Sequence, residues 1–392
     1  MSHLQEHPMQ GTCMEMCPES EIIMREKHGL LHPFEMVPET RHHKRPRASR
    51  EWMVKEYSRP AAGKAEPSQS ELRPPDVLLK TVNFLMDRVV PISSCAWKDV
   101  YDYVFDRLRA VRQDMVMQSI GGVEAIRILE VAIRFHIYAA YRLCTEPLAR
   151  FDQKINNTHT QECMKRLLVL YDNNVTQQNY HGDTVCYHSN RDEFESIYVL
   201  HNIGNSEALL HALDIKNKIR CSKWLNRSLE ISRAYQDGNY ARFCKMVRLL
   251  PVILRCAVHR HTAEVQRRAL GIMSVAYSSK TLKFPVEKLC HMLNFDTISD
   301  TTSILKQRGL WVADGNVIFQ KTNYQDEQID LLHSKSIENQ LKMLNASDLL
   351  IDGLISSDAQ SFEESFEKMN ISSESPHSNP GTKYEQTEWW DE

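Results

Sequence analysis

The sequence predicts an all-α protein: a stack of paired helices closed by a C-terminal winged helix, with an extended N-terminal strap and a disordered acidic tail. Three observations carry that prediction. From Asp76 to about residue 280, apolar residues recur at three- and four-residue steps, the stripe of an amphipathic helix. Near Phe284 the pattern changes to two short helices and a hairpin signal. Both ends fall outside either pattern, one rich in proline and basic residues, the other in Ser, Glu and Asp.

In chain order, Pro8, Pro18, Pro33 and Pro38 prevent a long helix in the first forty residues. Residues 41–75 are basic, then Pro/Ser-rich, and read as an extended arm over the body, pinned by Trp52, Val54, Tyr57 and Leu72. In "WKDVYDYVFDRLRAVRQDMVMQ" the apolar positions Val100, Tyr101, Val104, Phe105, Leu108, Val111 and Met115 form one stripe, and "GGVEAIRILEVAIRFHIYAAYRLC" repeats the pattern. Further helices are expected over 159–174, 191–213, 219–237, 239–250 and 255–278, joined by polar turns such as Asp237-Gly238-Asn239. No fixed sequence period is present, so any repeat is structural. "FPVEKLCHMLNF" reads as a short helix with Pro285 in its first turn, and "TISDTTSILKQRGL" as a second that stops at Gly309. In "LWVADGNVIFQ", Asp314-Gly315 separates two alternating runs, a hairpin. The expected organisation is a strap and basic arm over 1–75, a helical-repeat domain over 76–280, a winged helix over 281–325 and a disordered tail over 336–392.

The 392 residues contain no apolar run of the ~18–20 needed to span a bilayer, so no membrane association is expected. Charge and histidine run through the first thirty residues, which argues against a signal peptide. Ten dispersed cysteines then read as free thiols of a reducing compartment, cytosol or nucleus. The net charge of −3 hides an asymmetry. Ten acidic residues against two lysines lie between Asp352 and Glu392, whereas Arg41 to Lys64 holds eight Lys/Arg against two Glu. Such polarity suits an interaction protein more than a small-molecule enzyme.

Two clusters invite a metal reading. Cys13 and Cys17 lie four apart in "GTCMEMCPESE", with His3, His7, His28 and His32 in the same region. A zinc site needs about four ligands, and no second cysteine pair follows. The alternative is structural: Pro18 at a helix start, Glu19 and Glu21 in the first turn, and Cys17 as a small buried side chain. Cys256, His259 and His261 likewise read as core or boundary groups without a fourth ligand. "DRLRAVRQD" (106–114) is denser in charge than a core helix needs. Asp106, Arg109, Arg112 and Gln113 read either as a solvated face or as a semi-buried network that receives the N-terminal strap. No Walker loop, GxSxG, HExxH or GxGxxG occurs, so no catalysis and no cofactor are expected. Arg41, Lys44, Arg45, Arg47 and Arg50 can bind phosphates through charge alone, or serve nuclear import through "KRPR". Lys306 and Arg308 end the second helix of the winged-helix segment, and Lys283 and Lys288 stand near its first. With no aromatic residue between the arm's cations, RNA contact is expected to be weak, indifferent to sequence and steeply salt-dependent.

"GTCMEMCPESE", "VKEYSRPAAG", "LRPPDVLLKTVNFLMD", "DRLRAVRQDMVMQ", "IRFHIYAAYRL", "DGNYARFCKMVRLLP" and "FPVEKLCHMLNFD" stand in the order found in the SAC/GANP family, which the chain resembles from about Gly11 to Trp311. The resemblance implies a helical-repeat domain closed by a winged helix, similar to the PCI modules of proteasome-lid, signalosome and initiation-factor scaffolds. It also implies a structural cysteine motif and no catalytic residue. Long members scaffold messenger-RNA export at nuclear pores, pair with a second PCI protein and a small acidic subunit, and bind nucleic acid. The size and layout resemble the short branch; unlike the long members, the sequence shows no Phe-Gly-rich region before the domain and no long helix after it of the kind that holds centrin-type subunits, which argues against pore docking. The leading expectation is therefore a scaffold in centrosome duplication, spindle assembly and mitotic progression, in the cytoplasm and at the centrosome or spindle. The other is a nuclear mRNA-export adaptor that binds RNA and PCI-type partners.

Overall fold

Helix caps and breakers divide the chain into short, closely joined elements. The computed structural model describes residues 9–60, 66–174, 190–215 and 222–353. Leu354–Glu392 is a second unit outside the described residues. Helix α1 (Glu19–His28) follows Pro18, carries Glu19 and Glu21 in its first turn and Arg25, Lys27 and His28 in its last, and stops at left-handed Gly29 (φ 68°). The strap then makes 3₁₀ turns at Pro33–Glu35, Pro38–Thr40 and Gln69–Glu71.

Helix α2 (Pro75–Phe84) starts on a proline and runs into a π turn, Leu85–Val89. The two long helices α3 (Trp97–Met117) and α4 (Val123–Arg142) follow. Helix α4 is buried on nearly every side, including Glu130, Arg134 and His136, because it packs between α2 and α5 (Gln153–Asn174). The expected helix over 191–213 is two: α6 (Arg191–His201) ends before Gly204 (φ 89°), and the Asn205 side chain caps α7 (Ser206–Asp214) by accepting from the Glu207 amide at 2.8 Å. Ser222 caps α8 (Lys223–Gln236), and Asn239 caps α9 (Tyr240–Arg248). The expected helix over 255–278 is also broken, into α10 (Val252–His259) and α11 (Thr262–Ala276). Helix α10 packs on α4 and α6, and α6 on α8, which closes the stack.

After α11 come strand β1 (Phe284–Pro285), helices α12 (Val286–Met292) and α13 (Ile298–Gln307), and strands β2 (Trp311–Ala313) and β3 (Asn316–Ile318). The antiparallel sheet has the order β1-β3-β2. Asp314 (φ 52°) and Gly315 (φ 72°) are both left-handed, as a two-residue hairpin requires. The core of this region is Val286, Leu289, Leu293, Leu305, Leu310, Val317 and Phe319, shared with Leu270 and Met273 of α11.

One expectation fails. Residues 335–351 are not a disordered tail but two helices, α14 (Lys335–Met343) and α15 (Ala346–Ile351), packed on α10 and on α4 with the π turn. Ile337, Leu349 and Leu350 are buried there. Gly353 (φ 74°) lies against Arg134, where a Cβ would come within 2.2 Å of Nη2. The rest of the predicted tail, 354–392, lies outside the described residues. Among the described residues, no helix is long and apolar enough to cross a membrane.

Candidate functional site

The N-terminal strap is fastened to α3 by two buried ionic clusters. In the first, the carboxylate of Glu35, fully buried, accepts from Tyr103 Oη at 2.9 Å, Arg107 Nη2 at 3.1 Å, the Val54 amide at 3.3 Å and the Arg25 guanidinium. Arg25 also donates to the Val54 carbonyl at 3.2 Å, and Arg107 to Asp106 at 2.5 Å. Burial, with Glu35 beside it, pushes the Tyr103 hydroxyl well above its usual range, so it remains a donor. In the second cluster, Asp114 accepts from Lys55 Nζ at 2.7 Å and Arg73 Nε at 2.8 Å. Lys55 also donates to the Glu71 carbonyl at 2.6 Å, and Arg73 to that of Met16 at 3.3 Å. Opposite charges so enclosed offset one another, though Arg25 Nε, Arg73 Nη2 and Arg107 Nε keep no hydrogen-bond partner among the described residues; removing one partner strands the rest.

The cysteine motif belongs to this strap. The Gly11 amide donates to Gln118 Oε1 at 2.8 Å, and a Cβ on Gly11 would lie 2.4 Å from the Leu72 carbonyl oxygen, so only glycine fits. The amides of Thr12 and Cys13 donate to Gln69 and Leu72, and that of Lys55 to Met16. Cys13 is buried, and Cys17 packs with Ile22, Leu31 and Met53. Burial raises the thiol pKa of both cysteines. Among the described residues no three His, Cys, Asp or Glu side chains gather to hold a metal. His259 and His261 bond the carbonyls of Leu332 at 2.9 Å and His201 at 3.2 Å.

In "DRLRAVRQD" the structure places three of the four singled-out residues against the strap. Asp106 accepts from the Tyr57 amide at 3.1 Å, Gln113 donates to the Ser58 carbonyl at 2.8 Å, and the Arg109 guanidinium lies 3.7 Å from the centre of the Tyr57 ring. Arg112 turns to α5 instead, to His159 at 2.9 Å and Glu162 at 2.7 Å. The residues that do most of the fastening, Arg25, Glu35, Lys55, Arg73, Arg107 and Asp114, were not singled out in the sequence. Their signal was faint: charged residues at positions of the apolar stripe, as Arg107 and Asp114 are beside Leu108 and Met115.

The basic arm is a closed loop rather than an extended strip. Met36 bridges Ala48, the Val37 amide donates to the Arg47 carbonyl at 2.9 Å, and the Arg47 amide to Thr40 Oγ1 at 3.0 Å. From that base Arg41, Lys44, Arg45 and Arg47 project, all exposed together with His42 and His43. Arg50 is exposed and paired with Glu19. Lys306 is exposed on α13. Arg308, expected with it on a nucleic-acid surface, is 2% exposed and donates to the carbonyls of Ile304 at 3.2 Å, Glu327 at 2.9 Å and Gln328 at 2.8 Å. Its guanidinium ties down the chain that follows the sheet and cannot reach a phosphate.

Comparison with known proteins follows the same ground. The SAC3/GANP family matches residues 16–314. The chain is 27% identical over 325 residues to SAC3 family protein 1 of Schizosaccharomyces pombe, covering 78% of this chain and 30% of that protein. It is 29% identical over 274 residues to SAC3 family protein B of Arabidopsis thaliana, covering 67% and 15%. To protein THP3 of Saccharomyces cerevisiae it is 23% identical over 282 residues, covering 71% and 53%. It thus spans about a third or less of the length of the first two relatives. With the matched region extending from the cysteine motif to the β2–β3 turn, the chain belongs to the SAC3/GANP family.

Proposed function

We propose that this chain is a non-catalytic scaffold of the SAC3/GANP type that joins RNA to protein partners as a nuclear mRNA-export adaptor. The observation that carries this reading is the use of its charges. The densest buried ones, around Glu35 and Asp114, are consumed in fastening the strap, while the loop 41–47 leaves Arg41, Lys44, Arg45 and Arg47 exposed. Buried titratable groups consumed in ion pairs with one another suit a rigid platform better than a reaction centre. In this reading 281–325 is a winged helix, the stack is of the PCI kind, and the partners are a second PCI-type protein and a small acidic subunit. RNA contact through the loop is electrostatic, weak and indifferent to sequence.

The second reading, a scaffold in centrosome duplication, spindle assembly and mitotic progression, rests on the chain's resemblance to the short branch of the family. Crosslinking of RNA to the protein in interphase and dividing cells, with recovery of its bound proteins from both, separates the two. RNA crosslinks with a nuclear helical-repeat partner are expected. Association with spindle components alone, without RNA, would reverse the ranking.

A further inference from the structure

The outer face of the small sheet carries an arrangement the basic loop lacks. Trp311, on edge strand β2, is 68% exposed. Other described tryptophans have covered rings: Trp52 against Phe84 at 5.5 Å, Trp97 against Tyr138 at 5.5 Å, and Trp224 under Lys223 at 4.8 Å. Residues directly opposite in an antiparallel pair share a face. Val312, Val317 and Phe284 are opposite one another, and Val317 is fully buried, so that row faces the core. Trp311 and Ile318 are opposite on the other face, as are Ala313, Asn316 and Pro285. Lys283, exposed, immediately precedes β1. The outer face therefore reads Ile318, Trp311 in one row and the smaller Pro285, Asn316, Ala313 in the next, with Lys283 just before β1. Lys280, Lys283, Lys288, Lys306 and Lys321 are all exposed on this module.

We infer that this sheet face is a base-stacking site for single-stranded RNA, with Trp311 as the stacking platform and Lys283 as a phosphate contact. The proposal rests on the RNA-binding part of the reading above and adds a second, aromatic contact to it. An indole left open on a small sheet flanked by exposed lysines suits an unpaired base and a nearby phosphate. A duplex would keep its bases stacked on one another and present only backbone to the face. A protein partner is disfavoured by the lysines, which are depleted at protein interfaces where Trp and Arg are enriched.

The test is equilibrium binding of the full chain to fluorescein-labelled oligouridine and to a duplex RNA of equal length, across a salt series. Trp311 is exposed, so Trp311→Ala should melt like the parent. It should bind oligouridine about 5- to 150-fold more weakly, the change that corresponds to one lost stack. Its salt slope should stay unchanged, because stacking releases no counterions. Trp311→Phe should recover most of the loss, and duplex binding should not respond to either variant. Lys283→Ala should lower the slope by about 0.7, one phosphate contact on a single strand. Oligouridine binding by the parent with no response to Trp311→Ala overturns the stacking site and leaves the basic loop as the RNA contact. No oligouridine binding by the parent at low salt overturns both. Loss of a protein partner on Trp311→Ala, with RNA binding intact, assigns the face to protein instead.

Discussion

The two ends of the described chain are fastened to the same helical stack by opposite chemistry. The N-terminal strap is held on α3 by full charges, with carboxylates Glu35 and Asp114 each enclosed by two cations. The C-terminal pair α14–α15 is held on α4 and α10 mainly by apolar side chains and by histidines and cations bonded to carbonyls, with one half-exposed ion pair, Arg142–Glu338 at 3.6 Å. His259 bonds the Leu332 carbonyl, His333 that of Arg142 at 3.1 Å, Arg134 those of Leu350 at 3.4 Å and Ile351 at 3.0 Å, and Ser347 donates to Asp87. The difference sets how each end should fail. Charged pairs give way when one partner is removed, whereas a largely apolar seam gives way when its buried side chains are lost.

Shortening the chain to end at Ser334 is the most severe way to probe the C-terminal fastening. It removes the buried Ile337, Leu349 and Leu350, at about 1.5–3 kcal/mol each, and the carbonyl partners of Arg134. We expect a stability loss of about 5 kcal/mol or more in denaturant titration; an unchanged midpoint would mean that α14–α15 contribute nothing.

The N-terminal fastening is probed by Glu35→Ala, which leaves Arg25 and Arg107 buried without their shared carboxylate. A loss of roughly 3–5 kcal/mol is expected, with strap amides at Val54 and Tyr57 exchanging faster while α14–α15 stay protected. A loss confined to a few tenths of a kcal/mol would make the cluster a bystander.

Acid should weaken the helical stack. Burial pushes His259 and His261 down to about 4 and His136 to about 3, so each is neutral in the folded protein. A histidine pKa lowered below its unfolded value near 6.5 contributes stability that is complete above pH 6.5 and is lost as pH falls towards the folded pKa. Each such group should cost roughly 2 kcal/mol by pH 5. Melting followed from pH 7 to 5 should therefore fall steeply. His259→Gln should flatten the descent, and a profile it leaves unchanged would remove that residue from the account.

The smallest effect is expected at Arg109, whose guanidinium stacks on Tyr57 at the half-exposed rim. Arg109→Ala should cost about 0.5–1 kcal/mol. A loss several times larger would place it inside the fastening rather than at its edge.

The same contrast explains what was legible in the sequence. Helices fastened by apolar stripes, such as α3 and α4, could be read from periodicity, and so could the hairpin, from Asp314-Gly315. The strap was legible as a strap from its prolines, yet Glu35 and Arg25 stand in the sequence like any surface charges; only their enclosure by Val54, Tyr103 and Arg107 distinguishes them. Helices α14 and α15 were hidden by composition, because "SIENQLKMLNASDLLIDG" is rich in Ser, Asn and Asp. Its cues were local: Asn345 capping α15, Leu349-Leu350 within it, and Gly353 after its end. Arg308 misled for the inverse reason, since a cation after a helix end reads as exposed unless the carbonyls of Glu327 and Gln328 are known to reach it.

The central claim is a rigidly fastened strap that leaves a basic loop free for RNA. Hydrogen exchange of the full chain at pH 7, with and without saturating oligouridine, tests it most directly. Without RNA, the amides of Val54, Lys55 and Tyr57 should exchange as slowly as those of α4, and residues 41–46 should exchange fast. With RNA, protection should rise over 41–47 and stay unchanged over 54–58. Fast exchange at Val54 to Tyr57 in the free protein, or no added protection over 41–47 with RNA, would contradict it.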